Sequence, residues 1–280
     1  MKKVSDILPI FLQELHNIYS QKEIRSITSL TIDHCLGLNR SEIIIYSDKM
    51  LSGDEVQDIE KVLVQLRKGA PVQYVLSEII FYGIRLDINY GALIPRPETE
   101  ELVDWVVKDN KGTYKDYLDI GCGSGCIIIA LSKNLEGTFQ GLDISRDALD
   151  IARKNRDYYN LDIDLESFDI MDSRLNSSWD VIISNPPYVL TSHKKHMHQN
   201  ILDHEPDIAL FVDDKDPLMY YNRIADQAKD SLVSMGSLYF EINDMFGDKI
   251  VNMLSLKGFV NIELKKDIND KERMVKAVWK

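Results

Sequence analysis

The chain has 280 residues, 44% of them hydrophobic and 28% charged, with a formal net charge of −12. That length supports a large buried core and two domains, while the acidic balance argues against a surface built to wrap nucleic acid. No apolar run approaches the roughly 18 residues of a membrane span, and the start does not read as a secretion signal, because Gln13, Glu14 and His16 break its apolar run. Cys35, Cys122 and Cys126 are too few and too unevenly spaced for a disulfide framework. The expectation is a monomeric cytoplasmic protein with reduced thiols.

Residues 1–72 read as a helical bundle. Ser5 is expected to cap a helix whose apolar positions Ile7, Leu8, Ile10, Phe11, Leu15 and Ile18 share a stripe. A weaker pattern over 23–34 ends at Gly37, as a C-terminal glycine would. Ser52 opens a third helix, with Asp54 and Glu55 in its first turn and Val56, Ile59, Val62, Leu63 and Leu66 on its apolar face. With no phosphate loop or paired acids, this part reads as a docking or lid module. Over 73–97 the period changes to two: Ile84, Leu86 and Ile88 alternate with polar residues, and Gly83 and Asn89-Tyr90-Gly91 supply turns, which predicts a hairpin linker. A helix is expected from about Glu98, preceded by Pro95 and Pro97.

Over 98–280 short apolar runs alternate with helical patterns, the mark of an α/β doubly wound, mostly parallel sheet. Seven strands are predicted, at 117–120, 138–142, 162–167, 181–184, 237–242, 259–264 and 274–278. Helices over 146–159, 220–232 and 248–256 separate several of them. The last two strands lack a helix between them and are expected to be antiparallel. Lys194 and Lys195, and Lys265 and Lys266, read as solvated surface. His193, His196 and His198 form an H-x-x-H-x-H string without a carboxylate or cysteine beside it, so no metal site is expected.

Asp119-Ile120-Gly121-Cys122-Gly123-Ser124-Gly125 ends a predicted strand and opens a helix. Glycines there let a ligand approach the backbone, and the helix start offers free N–H groups. The spacing is G-x-G-x-G, not the G-x-G-x-x-G of dinucleotide enzymes. With Asp119 it resembles the first motif of S-adenosylmethionine methyltransferases, in which the acid and the loop hold the amino-acid portion of the cofactor. Asp143 ends the next strand, about 20 residues on, where an acid accepts from ribose hydroxyls. It could instead cap a helix, a task for which Ser145 competes. Asp169 either accepts from an adenine amine or belongs with Asp162, Asp164 and Asp172 on a solvated turn. Ile170 would pack on the ring.

Asn185-Pro186-Pro187-Tyr188 follows the apolar run Val181, Ile182 and Ile183, at a strand end. Two prolines remove two donors, so the tetrapeptide offers mostly acceptors beside an aromatic ring, which suits a flat NH2-bearing group. With the glycine loop and Asp143, it resembles the class I methyltransferases. More narrowly the chain is similar to the protein-(glutamine-N5) methyltransferases of peptide-chain release factors, the HemK or PrmC family. Pro71-Val72-Gln73-Tyr74, Phe81-Tyr82-Gly83, Ile94-Pro95-Arg96-Pro97-Glu98-Thr99-Glu100 and Glu205-Pro206 carry the likeness further.

That resemblance implies cofactor contacts at Gly121, Cys122, Gly123, Ser124, Gly125, Asp143 and Asn185, and a class I release factor as partner. It also implies that Asn185, Pro186, Pro187 and Tyr188 hold the substrate glutamine. On this reading Asn185 and Pro186 accept the two amide N–H bonds and Tyr188 packs on the amide plane, unless it is a packed loop aromatic. Two departures stand out: Ile170 where the family often has an aromatic residue, and Ser77 where it often has glycine. The alternatives are an adenine N6-methyltransferase acting on nucleic acid, which the acidic surface disfavours, and a non-catalytic cofactor-binding module, which would not need an intact Asn-Pro-Pro-Tyr. A nicotinamide dehydrogenase has the wrong glycine spacing.

Overall fold

The computed structural model describes residues 1–280. Its contacts divide it into two units, Met1–Ser77 with Gln199–His204, and Glu78–His198 with Glu205–Lys280.

The first unit contains α1 (Ile7–Leu15), α2 (Gln21–Leu36), α3 (Arg40–Ile45), α4 (Gly53–Leu66) and α5 (Val72–Leu76). Ser20, Asn39 and Ser52 cap α2, α3 and α4, and Glu23, Glu42 and Glu55 return a carboxylate to each cap's own N–H. Gly37 ends α2 in the left-handed conformation. Ser5 is not a cap. A 3-10 turn (Val4–Asp6) leads into α1, and the Asp6 carboxylate instead accepts the Lys2 and Lys3 N–H groups at 2.8 and 3.0 Å. Ile7, Phe11 and Leu15 face the core with Ile24, Ile59 and Leu66, whereas Ile18, past the end of α1, is exposed. Two short helices escaped the periodicity. Ile44 and Ile45 of α3 are exposed and give no apolar stripe, and α5 is little more than one turn. Ser77 ends α5 with φ at +56°, a left-handed conformation that accounts for the family's frequent glycine there.

The second unit opens with β1 (Glu78–Phe81) and β2 (Ile84–Asp87), an antiparallel hairpin whose turn residues Tyr82 and Gly83 both have positive φ. There follow α6 (Pro97–Asn110), β3 (Tyr114–Ile120), α7 (Cys126–Ser132), β4 (Glu136–Asp143), α8 (Arg146–Tyr158), β5 (Asp164–Ser167), β6 (Trp179–Ser184) and β7 (Val189–Leu190). The helix Gln199–His204, which groups with the first unit, is α9. After it come α10 (Asp207–Leu210), β8 (Phe211–Val212), α11 (Met219–Ser231), β9 (Leu232–Glu241), α12 (Gly247–Leu256), β10 (Val260–Lys266) and β11 (Glu272–Val278).

The seven expected strands form one sheet in the order β10-β11-β9-β6-β3-β4-β5. From β9 to β5 the pairs are parallel, while β11 is antiparallel to both β9 and β10. Side chains alternate across it. Tyr117 joins the core under α6, α7 and α8, and the next residue, Leu118, joins the core under α11 and α12. The small parallel pair β7 and β8 was not foreseen.

The hairpin, expected as a linker, is part of the fold. Phe81, Ile84 and Leu86 are buried in the first of these cores. Asn155 of α8 accepts from the Asp87 N–H at 2.7 Å and donates to the carbonyls of Asp87 and Ser124, both at 3.0 Å. The chain passes from β3 outward through β4 to β5, then returns to place β6 on the other side of β3. This reversal opens a crevice at the carboxyl ends of β3 and β6, where open α/β sheets bind ligands. No helix is long and apolar enough to cross a membrane.

Candidate active site

A cavity open to solvent lies at those strand ends. Its walls include Gly121 and Gly123 after β3, Asp143 ending β4, Phe168, Asp169 and Ile170 after β5, and Asn185, Pro186 and Pro187 after β6.

The three loop glycines have φ of +76°, +56° and +79°. At Gly121 and Gly123 a Cβ would meet nothing within 4 Å, so the backbone there borders open space. At Gly125 it would lie 3.1 Å from Ile129 Cδ1 and 3.2 Å from Ala152 Cβ, so that glycine serves helix packing. Cys122 and Ser124 point inward and are buried, and neither they nor Gly125 border the cavity. The Gly121 and Cys122 N–H groups donate to the Leu142 carbonyl at 2.8 and 3.0 Å, tying the loop to β4.

Asp119 is fully buried near the end of β3, and neither of its oxygens has a hydrogen-bond partner. Burial, and then the charge of Asp143, push its carboxyl up to about 8, with only the nearby Ile128 amide working against the rise. Asp119 does not border the cavity itself, but an orphaned carboxylate two residues before the open glycine Gly121 fits a ligand that carries a cationic amine. Asp143 accepts the Gly123 N–H on one oxygen and the Ser145 N–H on the other, both at 2.8 Å. Burial raises its carboxyl too, against those two amides and that of Ile144. Ser145 takes the cap of α8, accepting from Ala148. Asp143 therefore braces the loop and keeps lone pairs for a ligand.

Asp169 borders the cavity and accepts from the Met171 N–H at 2.8 Å, whereas Asp162, Asp164 and Asp172 are exposed. The Ile170 carbonyl is held by Arg223 at 2.7 Å. Phe168 was missed. It supplies an aromatic wall two residues before Ile170, and its signal was the strand end at Ser167.

Ser184 fixes the end of β6 by donating to the Ile120 carbonyl at 2.6 Å. Asn185 donates through Nδ2 to Thr99 Oγ1 at 3.3 Å. Tyr188, expected against a substrate amide, does not border the cavity. Its hydroxyl donates to Glu241 Oε1 at 2.9 Å, and its ring packs on the core under α11 and α12. Burial raises its hydroxyl far above the usual phenol range.

Two segments noted separately in the sequence prove to be one clasp. The buried Glu205 carboxylate accepts from Arg96 Nη2 at 2.6 and 2.8 Å and from the Ile94 N–H at 3.3 Å, and the following Pro206, Ile208 and Ala209 line the cavity. Asn155 and Glu241 escaped sequence reasoning, as did the partners of Thr99, Arg96 and Glu205, since each acts on a residue at least 30 positions away. Lys194 pairs with Asp207 and Lys265 sits over the Trp105 ring, so neither is simply solvated. His193 and His196 fall in a 3-10 turn (Thr191–His196), and no three His, Cys, Asp or Glu side chains are grouped to hold a metal ion.

A methyltransferase small domain matches residues 99–208, and a PrmC N-terminal domain matches residues 11–76. The chain is 41% identical over 273 residues to the release factor glutamine methyltransferase of Flavobacterium psychrophilum, covering 95% of this chain and 96% of that one. It is 39% identical over 268 residues to the protein of the same name from Bacteroides thetaiotaomicron, again covering 95% and 96%. Among solved structures, a methyltransferase from Pyrococcus furiosus shares the fold, with a TM-score of 0.51 at 16% identity over 69% of this chain and 88% of that one.

Proposed function

The chain belongs to the release factor glutamine methyltransferase family, and we propose that its S-adenosylmethionine-dependent methyl transfer goes to the N5 side-chain amide of the glutamine in the Gly-Gly-Gln motif of class I release factors. One observation carries the choice of an amide. The acceptor-rich Asn185-Pro186-Pro187 stands on the wall of the same cavity as Gly121, Gly123 and Asp143.

The residues present fit the cofactor. Asp119 suits its amino group, the backbone at Gly121 and Gly123 its amino-acid portion, Asp143 its ribose hydroxyls, and Phe168, Asp169 and Ile170 its adenine. Bound there, it supplies a methyl group made electrophilic by a sulfonium. An amide nitrogen is a weak nucleophile because its lone pair is delocalised into the carbonyl, so placement must compensate. Asn185 Oδ1 and the Pro186 carbonyl accept the two amide N–H bonds and hold the nitrogen in one orientation. Tyr188 braces the tetrapeptide from beneath. Orientation of this kind is worth about 7 to 11 kcal/mol of a barrier. When the nitrogen gains its bond to the methyl carbon, that carbon's bond to sulfur would break and the nitrogen would give up one proton, to solvent or to a nearby acceptor.

The helical residues 1–72 form the docking module, for which Ile44, Ile45, Tyr46 and Met50 offer exposed apolar surface. Residues 98–280, with the hairpin of 78–87 packed on them, form the catalytic domain; residues 73–77, expected in that hairpin, belong to α5 and its end. Because peptide release takes place in the cytoplasm, we assign the reaction there.

The test supplies methyl-labelled S-adenosylmethionine with either a class I release factor or duplex DNA, using the native chain and Asn185→Ala. The expected result is label in the release factor alone, lowered about 100-fold or more by the substitution. Label in DNA but not protein, or undiminished label with Asn185→Ala, overturns the reading.

A further inference from the structure

Glu241 closes β9, is fully buried, and lies outside every motif noted in the sequence. Burial raises its carboxyl, against the two hydroxyls it meets and the charge of Arg273. A position serving only to pack would favour an apolar side chain there, since a buried carboxylate is costly. Both of its oxygens are taken by hydroxyls: Thr99 Oγ1 donates to Oε2 at 2.6 Å, and Tyr188 donates to Oε1 at 2.9 Å. Thr99, on α6 and itself buried, then accepts from Asn185 Nδ2 at 3.3 Å. At the other end of the tetrapeptide, Asn243 Nδ2 donates to the Tyr188 carbonyl at 3.0 Å.

Hydrogen-bond polarity passes along this chain in one direction. Glu241 accepts a hydroxyl on each oxygen, so the Thr99 hydrogen points to Glu241. The Thr99 oxygen has only lone pairs left, so Asn185 must turn its NH2 group toward it. Asn185 Oδ1 is thereby left for the cavity. With the amide flipped, Asn185 would meet a substrate N–H with a donor of its own.

We propose that Glu241 is a positioning residue that sets the flip of the Asn185 amide through Thr99 and anchors Tyr188, so that the substrate amide always meets an acceptor. This rests on the glutamine-amide reading above. Glu241 touches neither substrate nor cofactor and acts through its two hydroxyl partners.

The test compares Glu241→Gln, Thr99→Val and Thr99→Ser with the native chain, measuring kcat, KM for a release factor, cofactor affinity and the NMR signal of the Asn185 side-chain NH2. Glu241→Gln keeps shape but presents one donor and one acceptor, and Thr99→Val removes the hydroxyl. Each is expected to lower kcat about 10- to 100-fold, with KM and cofactor affinity within twofold and the Asn185 NH2 protons exchanging faster. Thr99→Ser is expected to recover most of the loss. The double variant Glu241→Gln/Thr99→Val should be no worse than either alone, because both break one chain. Undiminished kcat in Glu241→Gln overturns the proposal, as does equal damage from Thr99→Val and Thr99→Ser. Should Glu241→Gln not fold, the two Thr99 variants decide it. A native chain that leaves the glutamine unmethylated sinks the functional reading instead, a separate outcome.

Discussion

Replacing Asp119 with asparagine should make the ligand-free protein more stable and the cofactor harder to bind. Asp119 is fully buried without a hydrogen-bond partner, and its carboxyl sits at about 8 against an ordinary 3.8. Between those values the folded chain keeps a proton that the unfolded chain has released, so stability falls as pH rises across that window. At about 1.36 kcal/mol per pH unit, the roughly three units below pH 7 amount to about 4 kcal/mol of stability lost by neutrality. Asparagine has the same shape and never ionises, so Asp119→Asn should recover most of this. For a unit of this size that is a rise in melting midpoint on the order of 8 °C at pH 7, shrinking to nothing near pH 4. The same change removes the countercharge for an amine, worth about 1.5–3 kcal/mol, so cofactor affinity should fall roughly 10- to 100-fold. Thermal unfolding from pH 4 to 8, with and without S-adenosylmethionine, reads the first effect. Titration calorimetry reads the second, and in the native chain should also detect close to one proton released per cofactor bound at pH 7. A variant no more stable than the native chain at pH 7, with unchanged affinity, refutes the reasoning.

The loop glycines should separate by task. Gly123→Ala borders open space and should mainly weaken cofactor binding, about tenfold or more, with a stability loss of about 1 kcal/mol from its positive φ. Gly125→Ala drives a methyl into Ile129 and Ala152 and should cost about 1–3 kcal/mol of stability. Equal effects of the two on denaturation midpoint would contradict this division. Ser77→Gly should relieve a left-handed serine and stabilise the chain by about 0.5–1 kcal/mol. A lowered urea midpoint would count against it.

What the sequence disclosed was whatever local chemistry can encode. All seven strands of the main sheet and their antiparallel pair were readable, because alternation and apolar runs are properties of neighbours. The cavity's glycines, Asp143 and Asn185 were readable because strand ends and turn residues mark them. Ser5 misled because serine is a frequent cap, yet the chain enters α1 through a 3-10 turn in which one Asp6 oxygen takes the Lys2 and Lys3 amides instead. Tyr188 was taken as a face for substrate because nothing nearby announces that its hydroxyl has a partner 53 residues on, in Glu241. The supports of the site, Thr99, Glu241, Asn155 and the Arg96–Glu205 clasp, are all pairings across the fold, which no spacing rule reports.

Asn155 carries a lesson for anyone who would trim this protein. One side chain joins the hairpin at Asp87 to the carbonyl of Ser124 in the glycine loop. A fragment cut at residue 98 would strip the apolar cover that Phe81, Ile84 and Leu86 provide and leave that amide with one of its three bonds. A piece meant to keep these supports thus begins no later than Glu78, where the hairpin starts. The motif-bearing stretch depends on a preceding ribbon that contains none of its chemistry.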